Sequence, residues 1–208
     1  MIETFLAGAA VVVDAVADPA VATAWDEPSV LEEQTVGSLA GHLCRGGVWL
    51  VEDYLDAAVP DGPATFSSAG EYFATLVGHA DAALHQSIRD RGAAIAAMGH
   101  ADLVATVTDR LAGLRDRLAD ERPERLMAVA GGTVIRFGDY LQTRVLEQVV
   151  HLDDLARSIG RDPWPVPDEA VEVALRVGVD VARHRSGDAA TLRALFRRGF
   201  ADGVLPVF

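Results

Sequence analysis

Glu147 and His151 are the residues whose types and spacing come closest to a reaction centre. They stand four apart in DYLQTRVLEQVVHLDDLARSIG, and at about 100° per residue a helix presents them on one face, one turn apart. Arg144 and Asp154 fall on the same side. The intervening Val145, Leu146, Val149, Val150, Leu152 and Leu155 mark a helix that wants burial. Ionisable groups on such a helix have two readings. In one, the stripe faces water and its members are ordinary surface neighbours worth tenths of a kcal/mol. In the other, an imidazole and a carboxylate at i, i+4 meet a divalent metal ion, which needs a third ligand from another helix.

His42 is the leading candidate for that third ligand. Leu39, Leu43, Val48 and Leu50 around it suggest burial, and Gly46, one turn on, leaves space beside it. Taken alone, His42 also reads as an ordinary core or surface histidine. His79 and His85, six apart, diverge on a helix, while His100 and His184 fall near helix ends, so all four read as structural or solvent-facing. Cys44 lies about 200° around the helix from His42 and reads as a small buried hydrophobe rather than a nucleophile. Arg144 can hold a carboxylate of a substrate or cofactor, although pairing with Glu147 is its simpler role.

Helices must position these groups, because apolar residues recur at helical spacing with no sustained two-residue alternation. A first helix is expected from Glu3 to Ala17, stopping before Asp18-Pro19, with loop to Gln34. Thr35 caps a second, running to Ala58 before Pro60, Gly62 and Pro63. A third spans Glu71 to Met98 with a break near Gly92, and a fourth runs from Ala101 to Asp120. Gly131-Gly132 fits a short irregular hairpin or turn. Phe137 to Ile159 reads as the strongest helix, closed by Gly160 and Pro163. Two more follow, from Asp168 to His184 and from Ala189 to Arg198. The fold class is all-α.

The 208 residues allow one large domain or two small ones. A net charge of −13 argues against nucleic-acid binding, which draws on clustered cations. The lone cysteine forbids an intramolecular disulfide and favours a reducing, cytoplasmic setting. Near the start, Glu3 replaces a basic region and Asp14 interrupts the apolar run, so neither a targeting nor a membrane segment is expected.

The segments TVGSLAGHL around His42 and DYLQTRVLEQVVHLDDLARSIG around Glu147 and His151 resemble the mycothiol-dependent maleylpyruvate isomerase family, within the DinB-like metal-binding four-helix bundles. The resemblance covers roughly residues 1–160 and makes 161–208 a short C-terminal helical extension packing on that bundle. It implies that His42, Glu147 and His151 hold one divalent ion, usually zinc, with nickel or another divalent ion suiting the same donors. It also implies that mycothiol supplies a thiol whose pKa the ion lowers. Glu32-Glu33-Gln34 stand where the family often has Pro-Gly-Trp, and the stretch after Arg161 is too short for the isomerase's own α/β C-terminal domain.

The expected activity is therefore a metal-dependent, mycothiol-dependent isomerase or S-transferase acting on a small organic substrate, with Arg144 and Asp154 orienting ligands. Two readings from other classes stand beside it. One is a non-catalytic metal- or ligand-binding bundle, and the other an acidic homodimer without a metal.

Overall fold

The computed structural model describes residues 1–76 and 82–207; His79, read above as structural or solvent-facing, lies outside them. The protein is all-α apart from one hairpin. Helices α1 (Ile2–Val16), α3 (Val36–Cys44) continued by α4 (Leu50–Leu55), α7 (His100–Leu118) and α8 (Phe137–Ser158) form a DinB-like four-helix bundle. Each turns an apolar stripe inward: Phe5, Ala9, Val12 and Val16 on α1, and Leu103, Val107, Leu111, Leu114 and Leu118 on α7.

Helix α8 is the centre of the packing, touching α1, α3, α5 (Ala69–Leu76) and α9 (Asp168–Ser186). Leu141, Val145, Leu152 and Leu155 are fully or almost fully buried, and each contributes about 1.5–3 kcal/mol by leaving water. Beyond it, α9 lies against α8 and α5, and α10 (Asp188–Phe196) packs on α9. Strands β1 (Leu126–Ala128) and β2 (Val134–Arg136) pair antiparallel with Met127 opposite Ile135. The turn between them uses positive φ at Gly131 and Gly132, which glycine adopts without Cβ strain. This is the short hairpin expected there.

Three expectations need correction. The stretch from Asp18 to Gln34 is not all loop, because Pro19–Thr23 forms α2 (one turn and a half). Asp18 accepts a 2.8 Å hydrogen bond from the Ala20 N–H, and Pro19 at the first helical position needs no N–H partner. Asp-Pro therefore starts one helix as well as stopping another. The second correction concerns the Thr35–Ala58 helix. Thr35 does cap it, its Oγ1 accepting from the Ser38 N–H at 3.1 Å, but residues Arg45–Trp49 widen into a π turn between α3 and α4.

Two side chains of α8 pin that turn: Arg144 Nη1 donates to the Gly46 carbonyl and Gln148 Nε2 to the Gly47 carbonyl, at 2.9 and 2.8 Å. Backbone acceptors that a regular helix would pair internally are thus satisfied from a neighbouring helix.

The third correction is at Gly92. Helix α6 (Ala82–Ala96) runs through it unbroken, and the glycine serves contact instead. A Cβ on Gly92 would meet the Ser38 carbonyl at 2.8 Å, and one on Gly41 would meet the Gly92 carbonyl at 2.6 Å. Helices α3 and α6 therefore touch backbone to backbone, which brings Ile88 and Arg91 of α6 beside the cavity that His42 lines. Among the described residues no helix is long and apolar enough to cross a membrane.

Candidate metal centre

Helix α8 carries Glu147 and His151 at i, i+4, and α3 delivers His42 from the facing helix just before the π turn. The three converge. His42 Nε2 and His151 Nε2 are 3.2 Å apart, and Glu147 Oε2 lies 3.5 Å from the first and 3.4 Å from the second. Each side chain is less than one-fifth exposed, so the stripe does not face bulk water as the bland reading required.

The donor set and its spacing suit a metal. Three ligands at about 2.0–2.1 Å from a tetrahedral ion are separated from one another by about 3.4 Å, which is the spacing of this triangle. Two imidazoles and one carboxylate also leave a coordination position open.

The surroundings define the states of Glu147 and His151. Asp154 Oδ2 lies 3.0 Å from His151 Nδ1 and accepts a hydrogen bond from it, turning Nε2 toward the triangle. Burial alone would lower the His151 pKa, but hydrogen bonds to Asp154 and Glu147 outweigh it and push the imidazole up to about 9. For Glu147, burial alone would raise the pKa, yet its hydrogen bonds to His151 and His42 and the Arg144 charge hold it well below the usual carboxylate range. Gly46 keeps the space open: a Cβ there would stand 3.3 Å from Glu147 Oε2 and 3.9 Å from His42 Cε1.

Two cavities have His42 and Glu147 in their walls. One, of about 480 Å³, is lined by His42 and Glu147 together with Arg45, Arg91, Arg144 and the tyrosines 54, 72 and 140. The other, about 220 Å³, is lined by all three triangle residues and by Leu31, Phe73, Ile88, Leu146 and Val150. Gln34 also borders the second cavity, so the end of the loop before α3 forms part of the site wall.

The remaining sequence candidates are placed as follows. Arg144 is buried, donates to Thr143 Oγ1 and the Gly46 carbonyl, and reaches Glu147 only at 3.9 Å. Cys44 is fully buried, which pushes its thiol pKa up and removes it as a nucleophile. His100 is structural, with Nε2 2.8 Å from the Val16 carbonyl and its ring edge-on to Trp25. His184 lies 3.7 Å from Asp180, away from the site. His85 is exposed, as expected, but stands at the wall of the second cavity.

Sequence reasoning missed Arg45, Arg91 and the three tyrosines. Tyr140 could have been found, since with Arg144, Glu147 and His151 it occupies one helical stripe. The others come from the π turn, α4, α5 and α6, and no spacing within one segment links them.

The fold and site together define a four-helix bundle with a candidate His-Glu-His metal centre at its middle. Residues 5–156 match the mycothiol maleylpyruvate isomerase N-terminal domain, and the chain belongs to that family. No curated protein and no solved structure matches the chain.

Proposed function

We propose that this protein is a metal-dependent enzyme in which His42, Glu147 and His151 hold one divalent ion, zinc foremost, and mycothiol is the thiol it activates, for isomerisation or S-transfer on a small organic electrophile. The observation that carries the reading is the triangle of 3.2–3.5 Å between three ligand atoms whose residues line two cavities. A divalent ion there would supply the Lewis acidity that keeps a thiol ionised at neutral pH. Membership in a mycothiol-linked family supports the choice of thiol.

The chain's own residues then have distinct tasks. Asp154 orients His151, Arg144 holds the charge of Glu147 in place, and Gly46 leaves room for a ligand. The two cavities let thiol and electrophile approach from different sides. In isomerisation, sulfur adds to a conjugated cis double bond, the resulting single bond rotates, and sulfur leaves with its electron pair, so the thiol is regenerated. In S-transfer, sulfur displaces a leaving group that departs with the bonding electrons.

In this reading residues 1–160 form the metal-binding bundle, 161–208 brace it, and the setting is cytoplasmic. The test is the metal content of the chain purified without chelators, beside His42→Ala and His151→Ala. About one ion per chain, lost in both variants, supports the site and leads to thiol-transfer and isomerisation assays with mycothiol. Unchanged metal in both variants refutes the ligand assignment.

A further inference from the structure

The larger cavity has a charge pattern that the metal centre does not account for. In a chain of net charge −13, three guanidinium groups, Arg45, Arg91 and Arg144, line one cavity whose carboxylate is Glu147. Among the described residues neither Arg45 nor Arg91 makes an ion pair; Arg91 donates to Ser87 Oγ. The two are close enough for Arg45 to reinforce the effect of burial in lowering the Arg91 pKa, a like-charge juxtaposition that an anion between them would relieve.

Tyr140 gives an independent sign of a ligand. It is fully buried and lines the same cavity, and among the described residues its hydroxyl has no hydrogen-bond partner. Buried polar groups in folded proteins are paired as a rule. Its ring packs edge-on against Tyr54 and Tyr72, and the Arg144 guanidinium lies 4.9 Å over it. The rest of the wall is apolar, with Leu50, Leu76 and Ile88.

We propose that this cavity receives the oxyanion of an organic ligand with a flat, apolar body: Arg45, Arg91 and Arg144 neutralise the oxyanion, the Tyr140 hydroxyl donates to it, and the tyrosine rings and aliphatic side chains enclose the body. Planar guanidinium groups suit carboxylate and phosphate alike. The inference rests on the proposed function for its place in a reaction, naming the electrophile as an apolar-bodied anion. Its recognition chemistry needs no metal.

The full chain, metal-free and zinc-loaded, is titrated with cinnamate, phenyl phosphate and neutral cinnamamide, with dissociation constants read by calorimetry or NMR. In the metal-free protein at least one of the two anions binds about tenfold tighter than the amide, and the stronger one identifies the group. That preference falls at least fivefold in the Arg45→Gln/Arg91→Gln double variant. Tyr140→Phe weakens the anion and leaves the amide unchanged. Raising ionic strength from low to physiological weakens only the anions, a measurement that needs no variant. Equal affinity for anions and amide, no saturable binding of either anion, or a preference untouched by the double variant overturns the proposal. Failure of the metal reading is seen separately, as zinc content that does not depend on His42 and His151.

Discussion

Gly46→Ala separates the metal centre from the stability of the helix that carries it. The new Cβ would stand 3.3 Å from Glu147 Oε2, so the carboxylate or the π turn must give by a few tenths of an ångström. The same oxygen forms two sides of the triangle, at 3.4 and 3.5 Å from the two imidazole nitrogens. Zinc sites hold their ligand distances within about 0.2 Å, so the displacement exceeds what the site tolerates. Zinc affinity is expected to fall about tenfold, equivalent to about 1.4 kcal/mol. Exchanging glycine for alanine inside a helix works the other way, favouring the fold by about 0.5–1 kcal/mol. The assay pairs competitive zinc titration against a chromogenic chelator with urea denaturation of the metal-free protein. Weaker zinc binding without loss of stability is the expected pattern. Wild-type zinc affinity would refute the reasoning, because it would mean that the space beside Gly46 is not where the ion sits.

Asp154→Asn, which removes the charge behind His151 Nδ1, should lower zinc affinity about 10- to 100-fold with little change in far-UV circular dichroism. Because His151 keeps its proton up to about pH 9, zinc loading releases that proton, and zinc affinity measured by the same competition should rise about tenfold per pH unit between pH 7 and 9. The sign reverses for the metal-free fold. A folded-state pKa above the unfolded value contributes stability that is complete below the unfolded pKa of about 6.5 and lost as pH rises toward 9, so urea midpoints of the metal-free protein should fall across that window. Gly92→Ala drives a Cβ to 2.8 Å from the Ser38 carbonyl, and overpacking of about 1–3 kcal/mol should depress the melting temperature by several degrees, while Gly113→Ala, with open space around it, should not.

Legibility in the sequence followed how local each signal is. Helix α8 was readable almost to the residue, because a continuous apolar stripe and the closing Gly160 and Pro163 lie within one segment, and the Thr35 cap was readable because it too is local. Glu147 and His151 share that segment, so their common face follows from helical geometry. His42 stood out as the leading third ligand by its apolar flanks and Gly46, but only the family resemblance tied it to the other two, since the contact spans 109 positions of sequence. The π turn was not readable: Gly46-Gly47 permits it, but Arg144 and Gln148 from α8 hold it. The role of Gly92 as a contact glycine likewise depends on the closeness of α3, and the cationic cavity on side chains gathered from five helices.

The π turn also sets the rotational phase of everything downstream of His42. On a regular α-helix Tyr54, twelve positions after His42, would point about 120° away from it, and Leu50 about 80° away. Absorbing one extra residue in the widened turn cancels about 100° of that rotation, leaving each within about 20° of the histidine. His42, Leu50 and Tyr54 do line one cavity. A relative one residue shorter between Arg45 and Trp49 would keep its histidine and its helix, yet turn the tyrosine and leucine wall out of the cavity. Segment length at this point, read from an alignment, is therefore as telling about the ligand as the identity of the metal-site residues.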